Sequence, residues 1–174
     1  MKALEIQIEA LGEDDLTVAY ILNRIGCTLT AQGHFTKAME KHQRAVEIQQ
    51  KKLAKNDLAI CVTFASMANV SFLQDDFEKS EEIYRKVLAI VLRVEASDKA
   101  AFLSDLYGNL AECLRKRGKF GEAVKIQKRA LATNLEHYGV DHPNVANDYN
   151  GIGLLLMEQD RLQDAELVFE KALE

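Results

Sequence analysis

The residues with the widest chemical reach in this chain are four histidines, three cysteines, a run of bases and a recurring asparagine. His34 and His42 straddle one expected turn and His137 and His142 another, which assembles no metal site. His42 stands where parallel stretches carry Tyr84 or Phe169, so a packing role is expected of it. Cys27 faces outward in the expected helix, but a nucleophile needs an adjacent base and the spacing supplies none. The stretch "GKFGEAVK" (118–125) lacks phosphate-loop spacing and reads as a turn entering a helix. Arg115-Lys116-Arg117 with Lys119 would draw an acidic peptide, or simply complement the negative end of a helix dipole. Asparagine is the more telling recurrence, because its amide offers donor and acceptor together and can pair with an extended peptide backbone. No catalytic residue, metal or cofactor is expected, and the chain is read as non-enzymatic.

The elements that must position these groups follow from composition. The chain has 174 residues, 48% hydrophobic and 28% charged, with nine Gly and one Pro, which leaves room for long helices and short connections. A net charge of −5 argues against a nucleic-acid or anionic-membrane partner. That charge is uneven, since residues 99–129 hold eight bases against three acids and are therefore +5. Glu5 and Glu9 interrupt the only early apolar stretch, and no run approaches the ~20 apolar residues of a transmembrane helix. Three cysteines without a short spacing suit reduced thiols, so a cytoplasmic protein is expected.

Internal repetition organises the rest. Lys2-Ala3-Leu4-Glu5 returns as Lys171-Ala172-Leu173-Glu174, with relatives starting at 44, 86 and 129, at steps of 42 or 43. An apolar quartet spaced i, i+4, i+7, i+11 reads Val18, Leu22, Ile25, Leu29 and recurs from Ile60, Leu103 and Val145, which is one face of a helix. After a break, a second quartet, Phe35, Ala38, His42, Ala45, recurs from Phe77, Phe120 and Leu162. Each repeat is thus two helices, A then B. Gly33, Asp75, Gly118 and Asp160 occupy the break, where left-handed backbone is needed. Asp14-Asp15, Asn56-Asp57, Ser97-Asp98 and Asp141 are the expected N-caps of the A helices, and Pro143 opens the last. Gly26, Ala68, Ala111 and Gly153 mark where A approaches its neighbours closely. The expected organisation is a single array over 1–174: a B-helix tail at 1–11, then repeats at 14–55, 56–97, 98–140 and a truncated 141–174. Because it spans four whole periods cut from inside the pattern, it reads as part of a longer array or a short product with imperfect caps.

These residues resemble the tetratricopeptide repeat, as in Tyr107, Leu110-Ala111, Leu114, Gly118, Phe120, Ala123 and Ala130. The long step and "YGVDHPNVANDYNGIG" (138–153) are similar to the kinesin-light-chain subtype. The resemblance implies an all-α solenoid, a right-handed superhelix of stacked antiparallel helix pairs whose A helices line a concave groove. It implies a peptide-binding groove of Tyr20, Asn23, Arg24, Asn69, Asn109, Glu112, Arg115, Lys116, Asn147 and Asn150. The subtype's Asn-Asn-Leu-Ala motif is half kept, in Asn23-Arg24-Ile25-Gly26, Gly108-Asn109-Leu110-Ala111 and Asn150-Gly151-Ile152-Gly153, and lost in repeat two. A carboxylate clamp is rejected, because Asn23 and Ala65 stand where its lysines would be. The expected function is a non-catalytic scaffold or adaptor that binds a protein or peptide partner. The competing expectation is a structural spacer or self-assembling segment of a larger sensor, joined end to end through open terminal helices.

Overall fold

The structure, a computed structural model, describes residues 12–96 and 99–173. The expected leading helix at 1–11 and the cap at Ser97-Asp98 lie outside them. Eight helices are described: α1 (Leu16–Ala31), α2 (Phe35–Lys52), α3 (Leu58–Leu73), α4 (Phe77–Val91), α5 (Lys99–Lys116), α6 (Phe120–Tyr138), α7 (Pro143–Met157) and α8 (Leu162–Lys171). Odd-numbered helices are the A elements and even-numbered ones the B elements. No helix of the described residues is long and apolar enough to cross a membrane.

Local chemistry sets the ends of these helices. All four expected breaks turn left-handed, with φ of 77° at Gly33, 61° at Asp75, 71° at Gly118 and 58° at Asp160. Asp is among the few L-residues that occupy this region at modest cost, which is why it substitutes for Gly here. Asp15 and Asp57 cap α1 and α3, each accepting a backbone N–H two residues on, at 2.8 Å. At α7 the cap differs from expectation: it is His142, not Asp141. The His142 Nδ1 accepts from the Asn144 N–H at 3.2 Å, and its ring stacks on Tyr138 with centroids 4.1 Å apart. The stack on Tyr138 holds the imidazole in the capping position.

The chain forms two compact units, Met1–Ile83 and Tyr84–Glu174. In the first, Val18, Ala19 and Leu22 of α1 close on Ala45 and Ile48 of α2. α3 packs against α2 and buries Ile60, Cys61 and Val70. In the second, α5 pairs with α6, α6 with α7, and α7 with α8. Leu106, Leu110 and Leu114 of α5, Ala123 and Ala130 of α6, and Ile152 and Leu156 of α7 are buried. Each large apolar side chain so covered contributes about 1.5–3 kcal/mol.

The A–B approach depends on missing side-chain atoms. A Cβ built on Gly26 would lie 2.5 Å from the His42 ring, and one on Gly153 would collide with the Phe169 ring. Both rings are B-helix residues resting on an A-helix backbone. Gly26→Ala should therefore destabilise the chain by about 1–3 kcal/mol in urea unfolding. A stabilised variant would mean instead that the gain of about 1 kcal/mol from helix propensity prevails and the ring moves aside freely.

Candidate functional site

An A helix that turns its i, i+4, i+7, i+11 face inward must turn other residues outward. In the first unit, Tyr20, Arg24 and Cys27 of α1 and Val62 and Asn69 of α3 are exposed. Cys27 Sγ lies 3.8 Å from Ser66 Oγ, and Ser66 in turn donates to the Val62 carbonyl at 3.1 Å, so α1 and α3 share one polar seam.

Asn23 does not belong to this exposed set, which corrects the sequence expectation. Its side chain is buried, and its Oδ1 lies 2.7 Å from His42 Nδ1. Gly26, lacking a side chain one turn away, lets the imidazole sink far enough to reach position 23. A carbonyl oxygen only accepts, so the proton of neutral His42 sits on Nδ1 and Nε2 is the bare nitrogen. Nε2 is itself buried without a hydrogen-bond partner among the described residues. Burial pushes the His42 pKa below its ordinary value.

In the second unit α5 and α7 bring Asn109 and Asn147 to the same place. Both are exposed, and both line a cavity of about 320 Å³ with Ser104, Asp105, Gly108, Asn134, Asn144 and Asp148. The innermost groups are Asp148 and Asn134. Asp148 accepts from Gln127 Nε2 at 2.9 Å and from Asn134 Nδ2 at 2.6 Å. Burial raises the Asp148 pKa, and the two amide donors oppose the rise. Burial also raises that of Asp105.

The other expected residues are distributed differently. Arg115 binds Glu112 through Nε and Nη2, both at 2.7 Å, and reaches Glu158, the C-cap of α7, through Nη1 at 2.8 Å. Glu112 and Arg115 are thus one ion cluster, not separate free charges. It borders a shallow cavity of about 670 Å³ with Leu154 and Met157, both exposed. Lys116 is exposed in the last turn of α5, where its charge complements the helix dipole. Asn150 is exposed on α7 and lines neither cavity. Ser104, Asn134, Asn144 and Asp148 were not anticipated as site residues. The repeat register held a signal for two of them, because Asn134 and Asp148 fall where the preceding repeat has buried Val91 and Leu106.

Comparison with known proteins follows the helices. A family model described as tetratricopeptide repeat matches residues 59–132 and 102–174, and a second of the same description matches 18–57. Kinesin light chain-related protein 1 of Arabidopsis thaliana is 23% identical over 99% of this chain, which spans only 28% of that protein's length. Among solved structures, a kinesin light chain protein of Podosopora anserina with nearly identical TPR-like repeats superposes with a TM-score of 0.80 at 18% identity, covering 98% of this chain and 80% of that one. A Rap protein complexed with Competence and Sporulation Factor gives 0.81 at 16%, covering 97% and 45%. At these identities the likeness shows the fold, an α-solenoid of helix pairs.

The buried imidazole generates a pH prediction. Its folded pKa lies below that of the unfolded chain, so acid protonates the unfolded state first. Stability from this group is complete above about pH 6.5 and is lost as pH falls toward the folded value. The melting temperature should drop between pH 7.5 and 5. The double variant Asn23→Ala, His42→Tyr, which installs the residues of repeat two, should drop less. Equal slopes in both proteins would exclude His42 as the source.

Proposed function

The chain belongs to the tetratricopeptide repeat family, whose repeats generally mediate protein–protein interaction, and from that premise we propose that it holds a peptide segment of a partner against its A helices. The observation that carries this reading is Gly108. A glycine inside a helix costs roughly 0.5–1 kcal/mol relative to alanine. At Gly26 and Gly153 packing explains the cost, but a Cβ on Gly108 would meet nothing within 4 Å. Gly108 opens instead onto the cavity that Asn109 and Asn147 line. A helix surface bare at that point lets another backbone come close, with two amides ready to pair with its N–H and C=O groups. Tyr20, Arg24 and Asn69 in the first unit, and Glu112, Arg115, Lys116 and Asn150 in the second, complete the proposed contact surface. The Rap protein of the same fold, solved with its factor, lends support. In this proposal the chain is an adaptor with no chemistry of its own, working in a reducing cytoplasm that suits its three free thiols.

A second reading rests on α8, which exposes Leu162 and Leu167. Two copies joined through the side of α8 that carries Leu167 would cover it. Sedimentation at rising concentration separates the readings, since such association would be lost in Leu167→Lys and unaffected by Asn109→Ala.

The direct test is peptide-library selection on the purified chain, beside Asn109→Ala/Asn147→Ala and Gly108→Ala. Both variants should capture fewer peptides. Gly108→Ala should also unfold later, by roughly 0.5–1 kcal/mol. Full capture by both variants would sink the proposal, as would a native chain that enriches no peptide.

A further inference from the structure

We infer that the cavity where α5, α6 and α7 meet is a subsite for a cationic side chain of the bound peptide, a lysine ammonium or an arginine guanidinium. This rests on the peptide reading above and gives that peptide a chemical requirement.

The cavity has two carboxyl groups, Asp105 and Asp148, and no basic side chain in its lining. Asp148 is only 6% exposed, and the donors it receives are the neutral amides of Gln127 and Asn134. Neutral donors satisfy its lone pairs but leave its charge uncompensated in a poorly solvated place. Asn134 supplies an independent sign. It is 3% exposed and lines the cavity, its Nδ2 is committed to Asp148, and its Oδ1 has no hydrogen-bond partner among the described residues. Turning the amide over would set Oδ1 against the carboxylate, so the orphan is an acceptor and must be met by a donor.

Packing does not require this polar pair. In the 42-residue register Asn134 and Asp148 correspond to Val91 and Leu106, both fully buried, and to Gln49 and Thr63 in the first unit. The fold accepts two apolar side chains at these positions, and two apolar ones cost less than a buried carboxyl held by a neutral amide. The start of α7 does not favour an anion here either, since the N–H of Asn144 is already taken by His142. A hydroxyl would satisfy Oδ1 alone, and an anion would face two carboxylates. A cation bearing N–H groups answers both the unpaired acceptor and the uncompensated charge.

The test is an NMR titration of the full chain with three capped amino acids, N-acetyl methylamides of lysine, arginine and norleucine. Lysine or arginine should shift the Asn134 side-chain amide and the Gly108 and Asn109 backbone amides, and norleucine should not. Asp105→Asn, which gives up no hydrogen bond or ion pair among the described residues, should weaken the effect about fivefold. Asp148→Asn should abolish it in a chain whose urea midpoint shows it still folded. Norleucine acting like lysine, or lysine binding indifferent to both variants, overturns the subsite. The two proposals fail separately. A chain that takes capped lysine yet enriches no peptide keeps the cavity and loses the peptide reading. One that enriches peptides without a basic residue keeps the reading and loses the subsite.

Discussion

Close approach of a B helix to an A helix through a residue with little or no side chain is the constraint on which this structure depends. Gly26 under His42 and Gly153 under Phe169 are cases in which even a Cβ would collide. Ala68 and Ala111 occupy the same register position, and both are fully buried. With the helices so near, each ring is covered by backbone on one side, and the remaining apolar residues of the pair interlock around it. A larger residue at Gly26 or Gly153 must displace the ring that rests on it. Since each repeat contacts only its neighbours, local spacing propagates directly into the array.

The same constraint decides which polar groups remain available to a ligand. The family resemblance implies a groove position for Asn23. Its fate was settled by a neighbour on another helix: Gly26 admits His42, His42 reaches Asn23, and a hydrogen bond inside the core takes the amide. At the corresponding position of repeat three stands Gly108, with Gln127 in place of the histidine, and Gln127 turns to Asp148 instead. One register position is therefore a buried strut in one repeat and a bare opening in another. The B-helix residue opposite it makes the difference.

Most of the fold is legible in the periodicity of the sequence. The four left-handed breaks, the caps at Asp15 and Asp57 and the A and B faces are local properties, governed by residue type within one or two turns. The candidate site was legible only in part. Asn109 and Asn147 were visible as outward polar residues, but not that a single cavity unites them. Glu112 and Arg115 looked like independent groove charges because the third member of their cluster, Glu158, lies 43 residues from Arg115. Capping by His142 depended on a ring stack that no pattern of single residues encodes. What escaped was in each case a pairing between helices.

The buried polar group at Asn134 and Asp148 shows how a repeat array can carry such a feature at all. A globular core with one contiguous interior would spread the penalty of an uncompensated carboxylate over every element touching it. In a linear array the penalty stays within one B–A junction, and another junction can be as apolar as that of Val91 and Leu106. Repetition therefore separates two demands that compete in other folds. An apolar junction such as that of Val91 and Leu106 supplies stability, which leaves another free to carry polar groups. A departure from the repeat at a core position, more than any exposed charge, is then where a binding role is most economically written into such a sequence. Asp148, standing in a leucine's place, is that departure here.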